Sequence, residues 1–363
     1  MEKIGIICEY NPFHNGHLYH LKKIKEMYPD SLVVLAMSGY FTQRGEFSVL
    51  SKYDKTRLAL KYGVDIVLEL PTLFVTNSAD LFAMVAVDAL NEVGVTKIVF
   101  GSESNDVETL KKIASKWEDE KTKAKIKESL DQGNSYAKSL TDAIAKNLKS
   151  NDILAVSYIK AINKINKRIE PISIQRTNEY NDTKENSPII SGTNILNRFY
   201  SGEDITSFIP DYNDIKLNEL NKLKLFELLR YRIITEKHLE KYLGVDEGLE
   251  NKLKKEIIYS NSLEELLDNV ISKRYTKSRL KRMLLHILLG IEKEDMNVKN
   301  HKYRILGFNA NGRDYLRDLY NHNLTFKYEN RIRMIEIVSS IVYDKLMHTN
   351  TYEEEIKNKP VIY

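Results

Sequence analysis

Glu9-Tyr-Asn-Pro-Phe-His-Asn-Gly-His17 places two imidazoles, a carboxylate and a glycine within one short turn. The turn lies where an apolar run, Lys3-Ile-Gly-Ile-Ile-Cys8, hands over to Leu18, Leu21, Ile24 and Met27 at helical spacing. A helix start carries unpaired N–H groups and the positive end of a dipole, so it can hold a phosphate. His14 and His17 can donate hydrogen bonds to phosphate oxygens as charge builds there, and Gly16 leaves room for close backbone approach. Taken alone, four residues of the form HxGH also fit a capped helix with two surface histidines. No metal is assigned to the pair, because the chain has a single Cys and no clear third ligand.

The elements that must position this turn alternate between strand and helix. Ser31 to Met37, Asp65 to Leu70, Lys97 to Phe100 and Pro171 to Ile174 read as further buried strands, and Ser78 to Val93 as an amphipathic helix. The runs are continuously apolar rather than alternating. That pattern predicts an α/β fold, a Rossmann-like parallel sheet covered by helices, with ligands beyond the carboxyl ends of the strands. Ser38 to Glu46 follows the second strand and forms a second candidate wall. There Ser38, Gln43 and Arg44 are available to a small carboxylate or a phosphate, and Gly39 and Gly45 permit a tight loop. Asp54, Lys55 and Arg57 read equally well as a surface ion-pair cluster. Asp106 to Lys149 is charged, helical scaffold, and Asp182 to Pro188 a loop. From about Ser201 the pattern turns leucine-rich and helical, over Leu217 to Tyr231, Thr235 to Leu243, Ser262 to Val270 and Ser278 to Leu289. With a linker near 201–215 and no further strand of comparable quality, two domains are expected, 1–200 Rossmann-like and 201–363 mainly α-helical.

With 363 residues, 42% of them hydrophobic and 29% charged, the chain can bury two cores and is not generally disordered. One Cys excludes an intrachain disulfide and fits a reducing compartment. No run approaches a membrane span and no signal-peptide layout opens the chain, so a cytoplasmic location and no membrane are expected. The formal charge of +4 is too small to identify a nucleic-acid binder. Its distribution is more informative, because Lys273 to Arg333 holds 15 basic against 6 acidic residues. Within it, Lys273, Arg274, Lys277, Arg279, Lys281 and Arg282 occur in ten residues without an acid. Such runs are usually solvated helix faces. As an RNA contact they would meet phosphates, and Tyr275 would stack on an unpaired base. His286 reads as a core histidine, and Cys8 as strand packing rather than a nucleophile.

The motifs together resemble one family. His14-Asn-Gly-His17 after a buried strand is similar to the HxGH signature of the nucleotidylyltransferase superfamily. The wider set closely resembles the bacterial tRNA(Met) cytidine acetate ligase family: Gly5 to His17, Met37 to Glu46, Glu69-Leu-Pro71, Ser78-Ala-Asp80, Phe100-Gly-Ser-Glu103, Ser150 to Leu154, Tyr275 to Arg282 and Arg304 to Phe308. The resemblance implies an ATP-dependent enzyme that converts acetate to acetyl-adenylate and then acetylates N4 of the wobble cytidine of elongator tRNA(Met). By the same resemblance, the ATP site comprises Ile7, Cys8, Glu9, Tyr10, Asn11, Pro12, Phe13, His14, Asn15, Gly16, His17, Leu18, Tyr19 and His20, with Gly101, Asn151 and Arg176. His14 and His17 would be catalytic, and the basic run would hold tRNA. A triphosphate substrate is compatible with Mg²⁺; oligomeric state is not legible.

Two departures from that family's pattern stand out. Asn181 follows Tyr180 where a histidine is expected, and Ser191-Gly-Thr-Asn-Ile-Leu196 ends in a leucine, which cannot donate to phosphate. Ser191 and Thr193 retain donors, and Arg176 or Arg198 is available to compensate. Two alternatives stay open on the sequence alone, a small-molecule adenylyltransferase and a catalytically idle RNA-binding protein.

Overall fold

The computed structural model describes residues 1–132, 134, 136–144, 148–176, 188–246, 248–298, 302–319, 323–325, 328 and 330–363. Five strands, β1 (Lys3–Cys8), β2 (Leu32–Ser38), β3 (Ile66–Leu70), β4 (Lys97–Ser102) and β5 (Glu170–Gln175), pair in parallel in the order β5-β4-β1-β2-β3. β2 and β3 are buried along their whole length, as expected of strands covered on both faces. The strand order reverses between β1 and β4. The carboxyl edge there is the crevice in which doubly wound sheets bind ligands.

β5 is one edge of the sheet, but β3 is not the other. β6 (Tyr303–Phe308) adds antiparallel to β3, and β7 (Leu324–Thr325) and β8 (Val361–Ile362) pair with β6. This corrects the expectation that the second half holds no strand of comparable quality. The run Tyr-Arg-Ile-Leu-Gly-Phe is interrupted by an arginine, and Arg304 is accommodated in the buried strand by its ion pair with Glu355 at 2.6 Å. Among the described residues, one large hydrophobic core runs from Ile4 to Met347 through residues of both halves.

Two other expectations change. Thr235 to Leu243 is not an α-helix: the preceding helix, Lys222–Thr235, stops there, and Leu239–Lys241 forms one 3₁₀ turn. Nor is 201–215 a bare linker. Ile205, Phe208 and Ile209 close a small separate core with Ile190 and Ile195. The expected loop Asp182 to Pro188, like Asn181, lies outside the described residues except for Pro188.

A candidate nucleotide site

His14 immediately precedes the first helix, Asn15–Met27, and its Nδ1 accepts the Gly16 N–H at 3.0 Å. His17 answers: its Nδ1 accepts the His14 N–H at 3.2 Å. This is a capping box built from imidazoles instead of a hydroxyl and a carboxylate. A neutral ring that accepts at Nδ1 must carry its proton at Nε2. Each imidazole therefore presents an Nε2–H donor, with the two rings 3.9 Å apart. A Cβ added to Gly16 would lie 2.7 Å from His14 Cε1, so the glycine is needed for the ring to fold back over it. Tyr10 closes the other side, its ring 4.7 Å from that of His17.

Burial, reinforced by the Arg176 charge, lowers His14 to about 3 and His20 to about 4. Burial pushes His17 well below its ordinary value too, with His14, Arg176 and His20 adding to the effect. All three rings are neutral donors at physiological pH. The same burial pushes the Cys8 thiol up to about 12, which suits a packing role and not a nucleophile.

These groups border a cavity of about 430 Å³ at the carboxyl ends of β1, β4 and β5. Of the expected residues, Ile7, Cys8, Glu9, Tyr10, Asn11, His14, Gly16, His17, Tyr19, His20, Gly101, Asn151 and Arg176 line it, as do Gln43 and Arg44. Pro12, Phe13, Asn15, Leu18 and Ser38 do not. Phe13 is in the core, Asn15 Nδ2 donates to the Pro188 and Ser207 carbonyls, and Ser38 is a fully buried β2 residue. The helix Gly192–Tyr200 brings its first turn to the same cavity, where Ser191, Gly192, Thr193 and Leu196 form part of the wall. A Cβ on Gly192 would stand 3.6 Å from His14 Nε2, so that donor lies against a second helix N-terminus.

Arg176 crosses the cavity floor, its Cγ 3.3 Å from where a Gly101 Cβ would sit. Gly101 therefore makes room for the arginine. Arg176 Nε and His20 Nε2 are buried and have no hydrogen-bond partner. Two orphaned nitrogens in one cavity are unusual in a protein interior and suit an anionic ligand. Arg198, the other arginine considered, instead pairs with Glu203 at 3.3 Å and lies over Phe208, away from the cavity.

Asn151 does not cap its helix, Ser150–Ile165. Its Nδ2 donates to Glu103 Oε1 at 2.6 Å, while Glu103 also accepts the Asn151 and Asp152 N–H groups and Asp152 accepts from Ser102 Oγ at 2.5 Å. That exchange fastens the end of β4 to the helix and fixes the cavity's far wall. Gln43 is braced as well, its N–H donating to Glu9 Oε1 and its side chain to the Asn77 carbonyl, each at 2.6 Å. Lys55 is not part of a surface cluster. It is buried, and its Nζ donates to the carbonyls of Glu9, Ser38 and Gly39 at 3.0, 2.9 and 2.7 Å. The sequence signal was weak, a lysine at one position of an amphipathic helix. Tyr158 and Phe82, whose rings read as ordinary helix-core residues, also line the cavity.

The basic run divides in two. Lys273, Arg274 and Lys277 are exposed on the approach to, and first turn of, the helix Lys277–Leu289. Lys281 pairs with Glu46 at 2.6 Å, and Arg282 lies under the loop after β2, where a Cβ on Gly45 would be 2.7 Å from the Arg282 nitrogen. Tyr275 is not a stacking platform, since it is buried, donates its hydroxyl to the Asp246 carbonyl and carries the Arg279 guanidinium 4.6 Å from its ring centre. His286 is a core histidine as read.

A Rossmann-like sheet with an HxGH turn at its switch point defines a nucleotidyltransferase, and the HIGH Nucleotidyl Transferase family model matches residues 1–359. Within that class the chain belongs to the tRNA(Met) cytidine acetate ligase family. It is 40% identical to the enzyme of that name from Caldicellulosiruptor saccharolyticus, over 88% of this chain and 85% of the relative. The Fusobacterium nucleatum enzyme is 38% identical over 86% and 84%. The crystal structure of Thermotoga maritima TmcAL in its apo form superposes with a TM-score of 0.87 at 28% identity, covering 100% of this chain and 99% of that one. The same protein bound with alpha-thio ATP superposes with a TM-score of 0.85 over the same shares. Among the described residues, no helix is long and apolar enough to cross a membrane, and no three His, Cys, Asp or Glu side chains cluster as a metal site.

Proposed function

We propose that this protein activates acetate with ATP and acetylates N4 of the wobble cytidine of elongator tRNA(Met). In the first step an acetate oxygen attacks the α-phosphorus, an O–P bond forms, and pyrophosphate leaves with the electrons of the broken P–O bond. In the second the cytidine N4 attacks the acyl carbon, the acyl C–O bond breaks, AMP leaves, and the N4 proton is released. The sequence of steps has a chemical reason. A carboxylate is a poor acyl donor, and the conjugated N4 amine is a weak nucleophile that needs a good leaving group.

One observation supports the reading most directly: Nε2–H donors of His14 and His17, the unpartnered nitrogens of Arg176 and His20, and two helix N-termini converge on one cavity at the switch point. The neutral imidazole donors strengthen as charge develops on the phosphates, and Arg176 adds a fixed positive charge beside them. Lys273, Arg274 and Lys277 lie outside the cavity and would take tRNA phosphates, giving affinity without reading sequence.

The test is exchange of labelled pyrophosphate into ATP, followed by acetyl transfer to tRNA(Met). Acetate-dependent exchange and transfer are expected. Exchange that ignores acetate and requires a phosphorylated small molecule would replace this reading with a metabolite adenylyltransferase.

A further inference from the structure

A second cavity, about 380 Å³, lies between the loop after β2 and the helices of the second half. Asn11, Arg44, Glu46, Thr193 and Leu196 line both it and the nucleotide cavity, so the two share one wall. The interior is chiefly leucine, including Leu225, Leu267 and Leu284, with the rings of Phe47 and Tyr200. At its edge Lys222, Lys277 and Lys281 are held in partly exposed ion pairs with Glu264 at 3.5 Å, Asp268 at 3.2 Å and Glu46 at 2.6 Å, weak pairs that incoming phosphates can displace. One side of it is the basic helix Lys277–Leu289 itself.

Resting on the activity proposed above, we infer that this second cavity receives the acceptor base: a pyrimidine turned out of a single-stranded tRNA loop, entering from the lysine edge. An apolar slot with aromatic rings fits the faces of an unstacked base, and cations at the mouth fit the phosphates on either side of it. A base seated there would turn its N4 toward the residues the two cavities share, Arg44 and Glu46 among them, and acyl transfer requires those side chains to part so that N4 contacts the acyl carbon in the nucleotide cavity. Glu46, in that wall and held by Lys281, is a carboxylate available to accept a hydrogen bond from an exocyclic amine. A uracil at the same place would offer a carbonyl oxygen to that carboxylate and be disfavoured. The nucleotide's own base is not the occupant, since the phosphate donors and the Gly101 edge lie on the other side of the wall.

Two measurements decide it. Leu263→Trp fills the half-buried lysine end of the cavity without touching the nucleotide wall. Acetate-dependent pyrophosphate exchange should stay within about twofold of wild type, tRNA binding within about threefold, and acetyl transfer should fall at least about 50-fold. Retained exchange also reports that the variant is folded. Transfer at the wild-type rate would overturn the inference while leaving the proposed activity intact, whereas loss of acetate-dependent exchange in the unaltered enzyme would refute the activity itself. The second measurement needs no variant: tRNA(Met) carrying 5-iodocytidine, which keeps the N4 amine, at the acceptor position is irradiated on the unaltered enzyme. An adduct mapped to Phe47, Tyr200 or the Leu263–Leu267 segment is expected. An adduct confined to other surfaces would overturn the inference, including where Leu263→Trp loses exchange through misfolding.

Discussion

At the scale of single residues, hydrogen-bond accounting in the turn fixes where each proton sits. Nδ1 of His14 and of His17 is occupied by a backbone N–H, so neither ring can present anything but Nε2–H while neutral. Removing one such donor from a developing charge typically costs 10²–10³ in rate. His17→Ala is therefore expected to lower acetate-dependent pyrophosphate exchange by about 100- to 1000-fold, with tRNA affinity unchanged in a filter-binding assay. The buried imidazoles also make a pH prediction. They titrate near 6.5 in the unfolded chain but at about 3 and 4 for His14 and His20 when folded, so the unfolded chain binds more protons between those values. Stability from the neutral rings is complete above about pH 6.5 and is lost as pH falls, down to about 4 for His20 and about 3 for His14. Melting curves of the nucleotide-free protein should shift to lower temperature on acidification from pH 7 to 5, and His20→Gln should flatten that shift. Parallel curves for variant and wild type would contradict the assignment.

At the scale of elements, the loop after β2 joins the two kinds of chemistry. Its inner residues line the nucleotide cavity, and its tip is held backbone to backbone on the basic helix. Gly45 has φ +76°, a left-handed value that costs other residues about 1–2 kcal/mol, and the added Cβ would strike the Arg282 backbone at 2.7 Å. Gly45→Ala should thus destabilise the protein by at least about 1–2 kcal/mol, read from urea unfolding, and reduce acetyl transfer more than exchange. Before the helix and on its first turn, Lys273, Arg274 and Lys277 face outward, Lys277 beside Asp268 at 3.2 Å. Replacing Lys273, Arg274 and Lys277 together by Ala should weaken tRNA binding about equally for all sequences, reduce the slope of log affinity against log salt, and leave exchange near normal. The parallel strands and the HxGH turn were legible because continuous apolar runs have few other solutions in a sheet covered on both faces. The inward turn of Arg282, Tyr275 and Lys55 was not. Charge and aromatic type say what a side chain can do, but the direction it faces is set by packing across elements far apart in sequence.

At the scale of the whole molecule, a composition change near residue 201 suggests two units, yet β3 and β6 bury one charge network between them. Lys52 lies fully buried against Glu69 and 2.7 Å from Glu355, while Glu355 also receives Arg304 at 2.6 Å and the Tyr53 hydroxyl at 3.0 Å. Burial would raise the Glu355 carboxyl, but Lys52 and Arg304 outweigh it and hold the group ionised. Glu69 is the reason the network matters to the fold: a carboxylate in a buried strand is tolerable only when paired, and breaking such pairs typically costs 3–5 kcal/mol. Four of the participants come from beyond residue 300: Arg304, Glu336, which faces Lys52 at 3.8 Å, Glu355, and Arg333, which also pairs with Glu355. A fragment of residues 1–200 would leave Lys52 and Glu69 without them and expose β3 as a bare apolar edge. That fragment is expected to aggregate or to unfold without a cooperative transition, whereas the full chain should melt in one step with near- and far-ultraviolet circular dichroism coincident. A soluble 1–200 fragment that melts cooperatively and binds ATP would mean that the sheet's outer strands are an addition to a self-sufficient nucleotide domain, and not part of its core.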